Sequence, residues 1–145
     1  MRLLGLDVGE KTIGIAVSDP LGWFAQGVET YRRKDEESDL AYLRGLVKQY
    51  EAAVVVIGLP LNMNGSEGPS ALRARRLGEL LNERVSIQTE YQDERLSTVA
   101  AEKVLISGNV SRKGRKQVID KMAAVIILQN YLDRMASKGN NFCND

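Results

Sequence analysis

Three acidic positions stand where the chain leaves a strand-like run or enters a helix-like one, and α/β proteins place reactive residues at such points. Asp7 lies near the end of the apolar run LLGLDVG, Asp93 and Glu94 follow VSIQTEY, and Asp120 lies within KQVIDKMAA. Carboxylates that converge from separate elements repel one another, and divalent cations relieve that repulsion. One or two Mg²⁺ or Mn²⁺ ions held by such carboxylates can drive phosphodiester hydrolysis.

The composition narrows the possible chemistry. The 145 residues include no histidine, so a Ser-His-Asp or Cys-His nucleophile and a histidine-based zinc site are excluded. The single cysteine, Cys143, cannot form a disulfide within one chain, which fits a cytoplasmic location. The net charge is +1, so a nucleic-acid-binding surface must be local. No apolar run approaches the roughly 20 residues of a membrane helix, and Asp7 interrupts any signal-peptide core.

Each acidic residue also has an ordinary structural explanation. Asp7 could accept hydrogen bonds from turn amides, Asp93 could cap the segment after it, and Glu94 could pair with Arg95. Asp120 suits the first turn of a helix because of the helix dipole. It shares a helical face with small apolar residues, however, where a charge must be paired, hydrogen-bonded or metal-bound. The residues of that face are Ala123, Ala124 and Ile127.

The apolar pattern that must position these residues changes along the chain. A period of two at 2–8 and at 12–18, and a strand-like run at 24–31 after turns at 9–11 and 19–22, predict three antiparallel strands. Helical periodicity and β-branched runs then alternate. The predicted elements are strands at 2–8, 12–18, 24–31, 52–58 and 85–91, helices at 36–50, 70–84, from Ser97 or Thr98 to Gly108, and 118–136, and connections at 59–69 and 109–117.

This order predicts an α/β fold with a mixed five-stranded sheet and helices on both of its faces. A single domain is expected over residues 1–137, with a frayed tail at 138–145. In the first strand, Leu4, Leu6 and Val8 should face one side, and Leu3, Gly5 and Asp7 the other.

Four motifs carry a family likeness: DVGEKTIGIAVSD at 7–19, VVIGLPLNMNGSEGP at 55–69, DERLST at 93–98 and DKMAAVIILQNYL at 120–132. Together they resemble the YqgF family of bacteria, also called RuvX, within the ribonuclease H-like superfamily. The family is associated with Holliday junction resolution and with processing of the 5′ end of the small-subunit ribosomal RNA precursor. The resemblance implies a metal-dependent hydrolase, an endonuclease acting on branched DNA or precursor ribosomal RNA.

The resemblance also implies roles for individual residues. Asp7, Glu94 and Asp120 would be catalytic and, with Asp93, would ligate the metal. Gly5 and Gly9 would leave room for a phosphate backbone. Thr12 departs from the arginine that is usual in the family, which removes one cation near the site. Apart from the resemblance, local positive charge just before Asp120 predicts phosphate binding, unless these cations only solvate a flexible loop. The residues expected to bind nucleic acid are Lys11, Arg95, Arg112, Lys113, Arg115 and Lys116.

Two other functions fit parts of the pattern. A D-x-G after the first strand also occurs in actin-like ATP-using enzymes, but those need two such domains, and a P-loop is absent. A non-catalytic nucleic-acid-binding or ribosome-assembly module on the same fold is the main alternative. Junction cleavage, which needs paired cuts, favours a homodimer, whereas RNA trimming suits a monomer.

Overall fold

A computed structural model describes the backbone of residues 1–96 and 112–143, with side chains for residues 1–95 and 122–137. The strands are β1 (Arg2–Val8), β2 (Thr12–Ser18), β3 (Ala25–Arg32), β4 (Ala52–Leu59) and β5 (Gln88–Asp93). The longer helices are α1 (Glu36–Tyr50), α2 (Pro69–Leu80) and α3 (Arg112–Cys143). The predicted helix from Ser97 or Thr98 to Gly108 lies outside the described residues.

The five strands form one sheet in the order β3-β2-β1-β4-β5. The first three strands pair antiparallel, and β1, β4 and β5 run parallel. The predicted mixed sheet is therefore confirmed. Because the three parallel strands finish at the same side, Val8, Leu59 and Asp93 mark one end of the sheet, which we call the carboxyl end.

Two apolar layers cover the two faces of this sheet. One layer packs α1 and α2 on the side chains of Leu4, Leu6 and Val8. The other packs α3 on the opposite face, where Leu3 and Val54 lie. The alternation predicted for β1 is thus confirmed, and it assigns Asp7 to the face covered by α3.

The α3 helix approaches β1 closely because both surfaces carry small residues. A Cβ atom at Gly5 would lie 2.7 Å from the Cβ of Leu128 and 3.1 Å from the carbonyl oxygen of Ala124. The expectation that Gly5 leaves space for a phosphate is therefore wrong, since the helix fills that space. Gly9 has a local role as well, because its Cβ would lie 2.9 Å from the carbonyl oxygen of Thr12.

The fifth strand begins three residues later than the sequence indicates. Helical backbone continues beyond α2 through a π-helical turn, Leu81–Val85, and ends at Ser86, whose φ is 58°. This turn buries Leu81 completely, and Asn82 donates a side-chain hydrogen bond to the carbonyl of Ile87 over 3.2 Å. Packing of these residues on the core outweighs the strand propensity of the segment VSI.

The last helix is longer than predicted at both ends. The sequence placed residues 109–117 in a connection and residues 138–145 in a frayed tail, whereas α3 runs from Arg112 to Cys143. This stretch contains no proline, and its two interior glycines cost only about 1 kcal/mol each. The four basic residues predicted to bind nucleic acid therefore lie on the first turns of α3, namely Arg112, Lys113, Arg115 and Lys116.

Within the described residues, no helix combines the length and the hydropathy that crossing a membrane requires.

A buried carboxylate joins α1 to the turn after β1. Asp39 is 1% exposed and accepts hydrogen bonds from the Tyr31 hydroxyl at 3.0 Å, the Lys34 amide at 3.0 Å and the Arg33 Nε at 3.1 Å. Arg33 also donates from Nη1 to the carbonyl of Gly9 at 3.1 Å. This network fixes the chain two residues after Asp7.

We predict that Asp39→Ala lowers the free energy of unfolding by about 3 kcal/mol, because it leaves the Arg33 guanidinium without its buried partner. Urea denaturation measures the change. Glu37→Ala is the matched control, since Glu37 lies in the same helical turn, is exposed and pairs with Arg84 at the surface. The control should lose less than about 1 kcal/mol. Equal losses in the two variants would contradict this account.

Candidate active site

The structure brings the carboxyl groups of Asp7 and Glu94 together at the carboxyl end of the sheet. Asp7 is the penultimate residue of β1, and Glu94 directly follows β5. Both are partly buried, and their side chains are hydrogen-bonded to each other. One strand, β4, separates the two strands that carry them.

This arrangement changes the protonation of Glu94. Burial, followed by the negative charge of Asp7 and the hydrogen bond between them, raises the pKa of Glu94 to about 7. The charge of Asp93 adds a smaller effect in the same direction. Near neutral pH, Glu94 is therefore protonated in about half of the molecules, and a divalent cation would displace that proton.

Gly58 makes room for this pair, and the sequence reasoning did not single it out. It lies in β4, between the strands that carry the two carboxylates. A Cβ at Gly58 would lie 2.9 Å from Glu94 Oε1 and 2.4 Å from Ile127 Cδ1. A glycine that ends a continuous β-branched run is the signal that could have revealed it, because such glycines often allow close approach.

The direction of α3 indicates where the backbone of Asp120 lies relative to Asp7 and Glu94. Ala124 and Leu128 lie against Gly5, and Ile127 lies against Gly58. Because Tyr131 and later residues pack with Leu3 and Val54 nearer the start of the strands, α3 runs from the carboxyl end towards the opposite end. The helix backbone at position 120 precedes Ala124 by about one turn. The side chain of Asp120 lies outside the described residues.

Asp93 has a different partner from Glu94. Its carboxylate receives Arg95 Nη2 at 2.7 Å, Arg95 Nε at 3.1 Å and the Arg95 amide at 2.9 Å. These hydrogen bonds hold the pKa of Asp93 below its ordinary value. The expectation that Asp93 caps the following segment is confirmed, whereas Arg95 pairs with Asp93 and not with Glu94.

Arg95 also contacts the loop between β4 and α2. Its Nη1 donates to the carbonyl of Met63 at 3.4 Å. Within this loop the Asn62 side chain donates to Ser66 Oγ, and Asn64 Oδ1 accepts from the amide and hydroxyl of Ser66. The loop is therefore ordered by its own polar side chains next to the Asp93–Arg95 pair.

Of the other residues predicted to bind nucleic acid, Lys11 has a described side chain, whereas the four at the start of α3 do not. Lys11 is exposed in the turn between β1 and β2, close to the carboxyl end. The side chains of the basic residues at the start of α3 lie outside the described residues.

The two carboxylates that meet are suitable ligands for a hard divalent cation. Mg²⁺ commonly binds one or two carboxylates, substrate phosphates and several waters. Across residues 1–95 and 122–137 no group of three or more acidic or cysteine side chains could hold a metal ion. A third protein ligand would have to come from another position, and Asp120 is the candidate that the sequence supplies.

Comparison with known proteins shows a family match over nearly the whole chain. A family model described as "RuvX: Holliday junction resolvase" matches residues 1–134. The chain is 58% identical over 136 residues to a protein of Heliobacterium modesticaldum named "Putative pre-16S rRNA nuclease", covering 94% of this chain and 91% of that protein. A protein of the same name from Halalkalibacterium halodurans is 59% identical over 140 residues, covering 95% and 100%.

Solved structures with low sequence identity share the fold. Thermus thermophilus RuvC in complex with a Holliday junction substrate superposes with a TM-score of 0.59 at 12% identity, covering 93% of this chain and 96% of that one. Fowlpox virus resolvase with Holliday junction DNA gives 0.56 at 9% identity, covering 93% and 99%. The predicted ribonuclease H-like fold is thereby confirmed.

In the metal-free protein, wild type should lose stability as pH rises, and we predict that Glu94→Gln abolishes this loss. Because the folded state binds this proton more tightly than the unfolded state, wild-type stability should fall as pH rises from the ordinary value of 4.5 through about 7. Urea denaturation in EDTA should therefore find Glu94→Gln more stable than wild type near pH 8, with little difference below about pH 4.5.

Exposed Glu83 provides the matched control, and Glu83→Gln should keep the wild-type pH profile. Added Mg²⁺ should stabilise wild type more than Glu94→Gln. Parallel pH profiles for wild type and Glu94→Gln would show that neither burial nor the contact with Asp7 raises the pKa of Glu94.

We predict that Gly58→Ala destabilises the protein by about 1–3 kcal/mol, because the new methyl group overlaps Ile127 and Glu94. The same change should reduce cleavage by displacing the Glu94 carboxylate. Gly45→Ala is the control, since nothing lies within 4 Å of a Cβ there and a helical alanine should stabilise by about 0.5–1 kcal/mol. Thermal unfolding and a cleavage assay measure both effects, and a fully stable, fully active Gly58→Ala would exclude this role.

Proposed function

Because the chain belongs to the RuvX family of Holliday junction resolvases, we propose that it hydrolyses phosphodiester bonds in structured nucleic acid at the Asp7–Glu94 site. The observation that supports this most directly is the hydrogen-bonded carboxylate pair at the carboxyl end of the sheet. Perturbed pKa values of buried carboxyl groups in contact cluster at functional sites, which supports a catalytic role for the pair.

The proposed catalytic set is Asp7, Glu94 and Asp120. Bound Mg²⁺ or Mn²⁺ would supply an activated water and would stabilise the leaving oxygen. Asp7 and Glu94 would hold the ion once Glu94 has lost its proton, and Asp120 would complete the set from the helix that packs against Gly5 and Gly58. The set would hold one or two such ions.

We assign Asp93 a positioning role in place of the predicted direct ligation. Its carboxylate oxygens accept hydrogen bonds from Arg95, which leaves less capacity for a metal. Arg95 in turn orients the loop at Met63 beside the site. Lys11 and the basic first turns of α3 would hold phosphates on either side of the scissile bond.

The physiological substrate is either branched DNA or a ribosomal RNA precursor. The family description names Holliday junctions, whereas the two similar bacterial proteins are named for pre-16S rRNA. Both substrates present phosphodiesters in a structured nucleic acid, and the proposed site acts on that shared group. We place this activity in the cytoplasm, in a single domain over residues 1–137. Junction cleavage would use a homodimer.

A nuclease assay with Mg²⁺ or Mn²⁺ tests the proposal on a four-way DNA junction, linear duplex DNA and a structured ribosomal RNA precursor. Loss of a group that orients a metal ligand typically lowers activity about 10–100-fold, and loss of a ligand itself should cost more. Asp7→Asn, Glu94→Gln and Asp120→Asn should therefore each reduce cleavage by at least about 100-fold. Glu83→Gln is the matched control and should retain wild-type activity. The best-cut substrate identifies the function.

The competing possibility is a non-catalytic binding or ribosome-assembly module on the same fold. Absence of cleavage on all three substrates, together with nucleic-acid binding that survives the three substitutions, would overturn the nuclease proposal in its favour. Circular dichroism of each variant distinguishes loss of the site from loss of the fold.

A further inference from the structure

We propose that a basic cavity beside the turn after β1 binds the sugar–phosphate backbone of the substrate, next to the cleavage site. The cavity has a volume of about 440 Å³ and lies between the β1–β2 turn, the end of β3 and the starts of α1 and α2. This inference rests on the proposed function, because it extends the same substrate beyond the scissile phosphate.

Most acidic groups around the cavity already have partners. Asp39 is buried against Arg33, Tyr31 and Lys34. The Asp35 carboxylate caps α1 by accepting from the amide and hydroxyl of Ser38. The Glu36 carboxylate pairs with Arg76 at 3.3 Å. Glu10 is the remaining acid of the cavity lining.

The basic groups of the lining are much less committed. Arg33 is paired with Asp39, but among the described residues no ion pair involves the other four, which are Lys11, Arg32, Lys34 and Arg73. Lys11, Arg32 and Lys34 are exposed, and Arg73 is partly buried. Among the described residues, these four cations without an ion pair face two carboxylates without one, Glu10 and Asp35, because Ser38 is an uncharged partner. The excess of cations creates a local positive potential, although the whole chain carries a net charge of only +1.

The cavity is a built feature and not a chance grouping of surface lysines. The Arg33 side chain is 17% exposed and bridges Asp39 of α1 to the carbonyl of Gly9. The Lys34 amide is fixed by the same carboxylate, and Tyr31 stacks on Tyr42 with ring centroids 4.2 Å apart. The backbone that carries the cations is therefore held in place before any ligand binds.

The position of the cavity suits a strand that continues from the active site. Gly9 is two residues after Asp7, and Lys11 follows in the same turn. Asp7 faces α3, whereas the cavity lies on the side covered by α1 and α2. A phosphate backbone that passes over the carboxyl end of the sheet would thus contact both. Such contacts position the backbone without reading its sequence.

The test measures binding of the full-length Asp7→Asn protein, which keeps the cavity intact while preventing cleavage. The probes are a fluorescent four-way DNA junction and a fluorescent structured RNA, and anisotropy is recorded across a salt titration in Mg²⁺. Lys34→Gln and Arg73→Gln should each lower affinity about fivefold at about 0.15 M salt, with a decrease of about 0.9 in the slope of log K against log salt. The double variant should show about twice the change in slope.

Lys48→Gln is the matched control because Lys48 is an exposed cation in the last turn of α1, far from the cavity along that helix. It should leave affinity and slope unchanged. Cavity variants that behave like Lys48→Gln would overturn the inference while leaving the nuclease proposal intact. Weakened binding by the cavity variants, together with a wild-type protein that cuts none of the substrates in the nuclease assay, would support the cavity and contradict the nuclease. A parent protein that binds neither probe would overturn both.

Discussion

The contact between two acidic side chains is the constraint on which the site depends. Asp7 and Glu94 can share one end of the sheet only if a proton or a cation lies between them, because two ionised carboxylates in contact repel. The fold creates this contact by setting β4 between their two strands and by omitting a side chain at Gly58. The raised pKa of Glu94 is the measurable consequence in the absence of metal.

A second close approach follows from the first. For α3 to supply a further carboxylate, it must cross the same face of the sheet at the level of Gly5 and Gly58. Glycine in the strands and Ala124 in the helix permit that crossing, while Ile127 and Leu128 seal the interface. The same residues therefore serve both the apolar core and the geometry of the site. Substitutions there should seldom affect stability and activity independently.

The sequence was most informative where one local pattern decided the outcome. Alternation in β1 correctly assigned Asp7 to the face opposite Leu4 and Leu6, and the order of strands and helices predicted the mixed sheet. Local pattern could not show that helical backbone would continue past α2, since burial of Leu81 decides it. Local pattern also could not show which acid pairs with Arg95. Asp93 and Glu94 are adjacent in the sequence, but after β5 ends Asp93 contacts Arg95 and Glu94 contacts Asp7.

The basic cavity illustrates the same limit for electrostatics. In the sequence, the basic residues near position 33 are followed closely by several acids, and the segment appears nearly neutral. In the structure Asp39 is paired with Arg33 and Glu36 with Arg76, while Asp35 accepts from the uncharged Ser38, so the exposed cations outnumber the acids of the cavity that have no ion pair. Charge that survives pairing, not net charge, determines where a polyanion binds. A nearly neutral chain can therefore still present a positive surface beside a pair of acidic side chains.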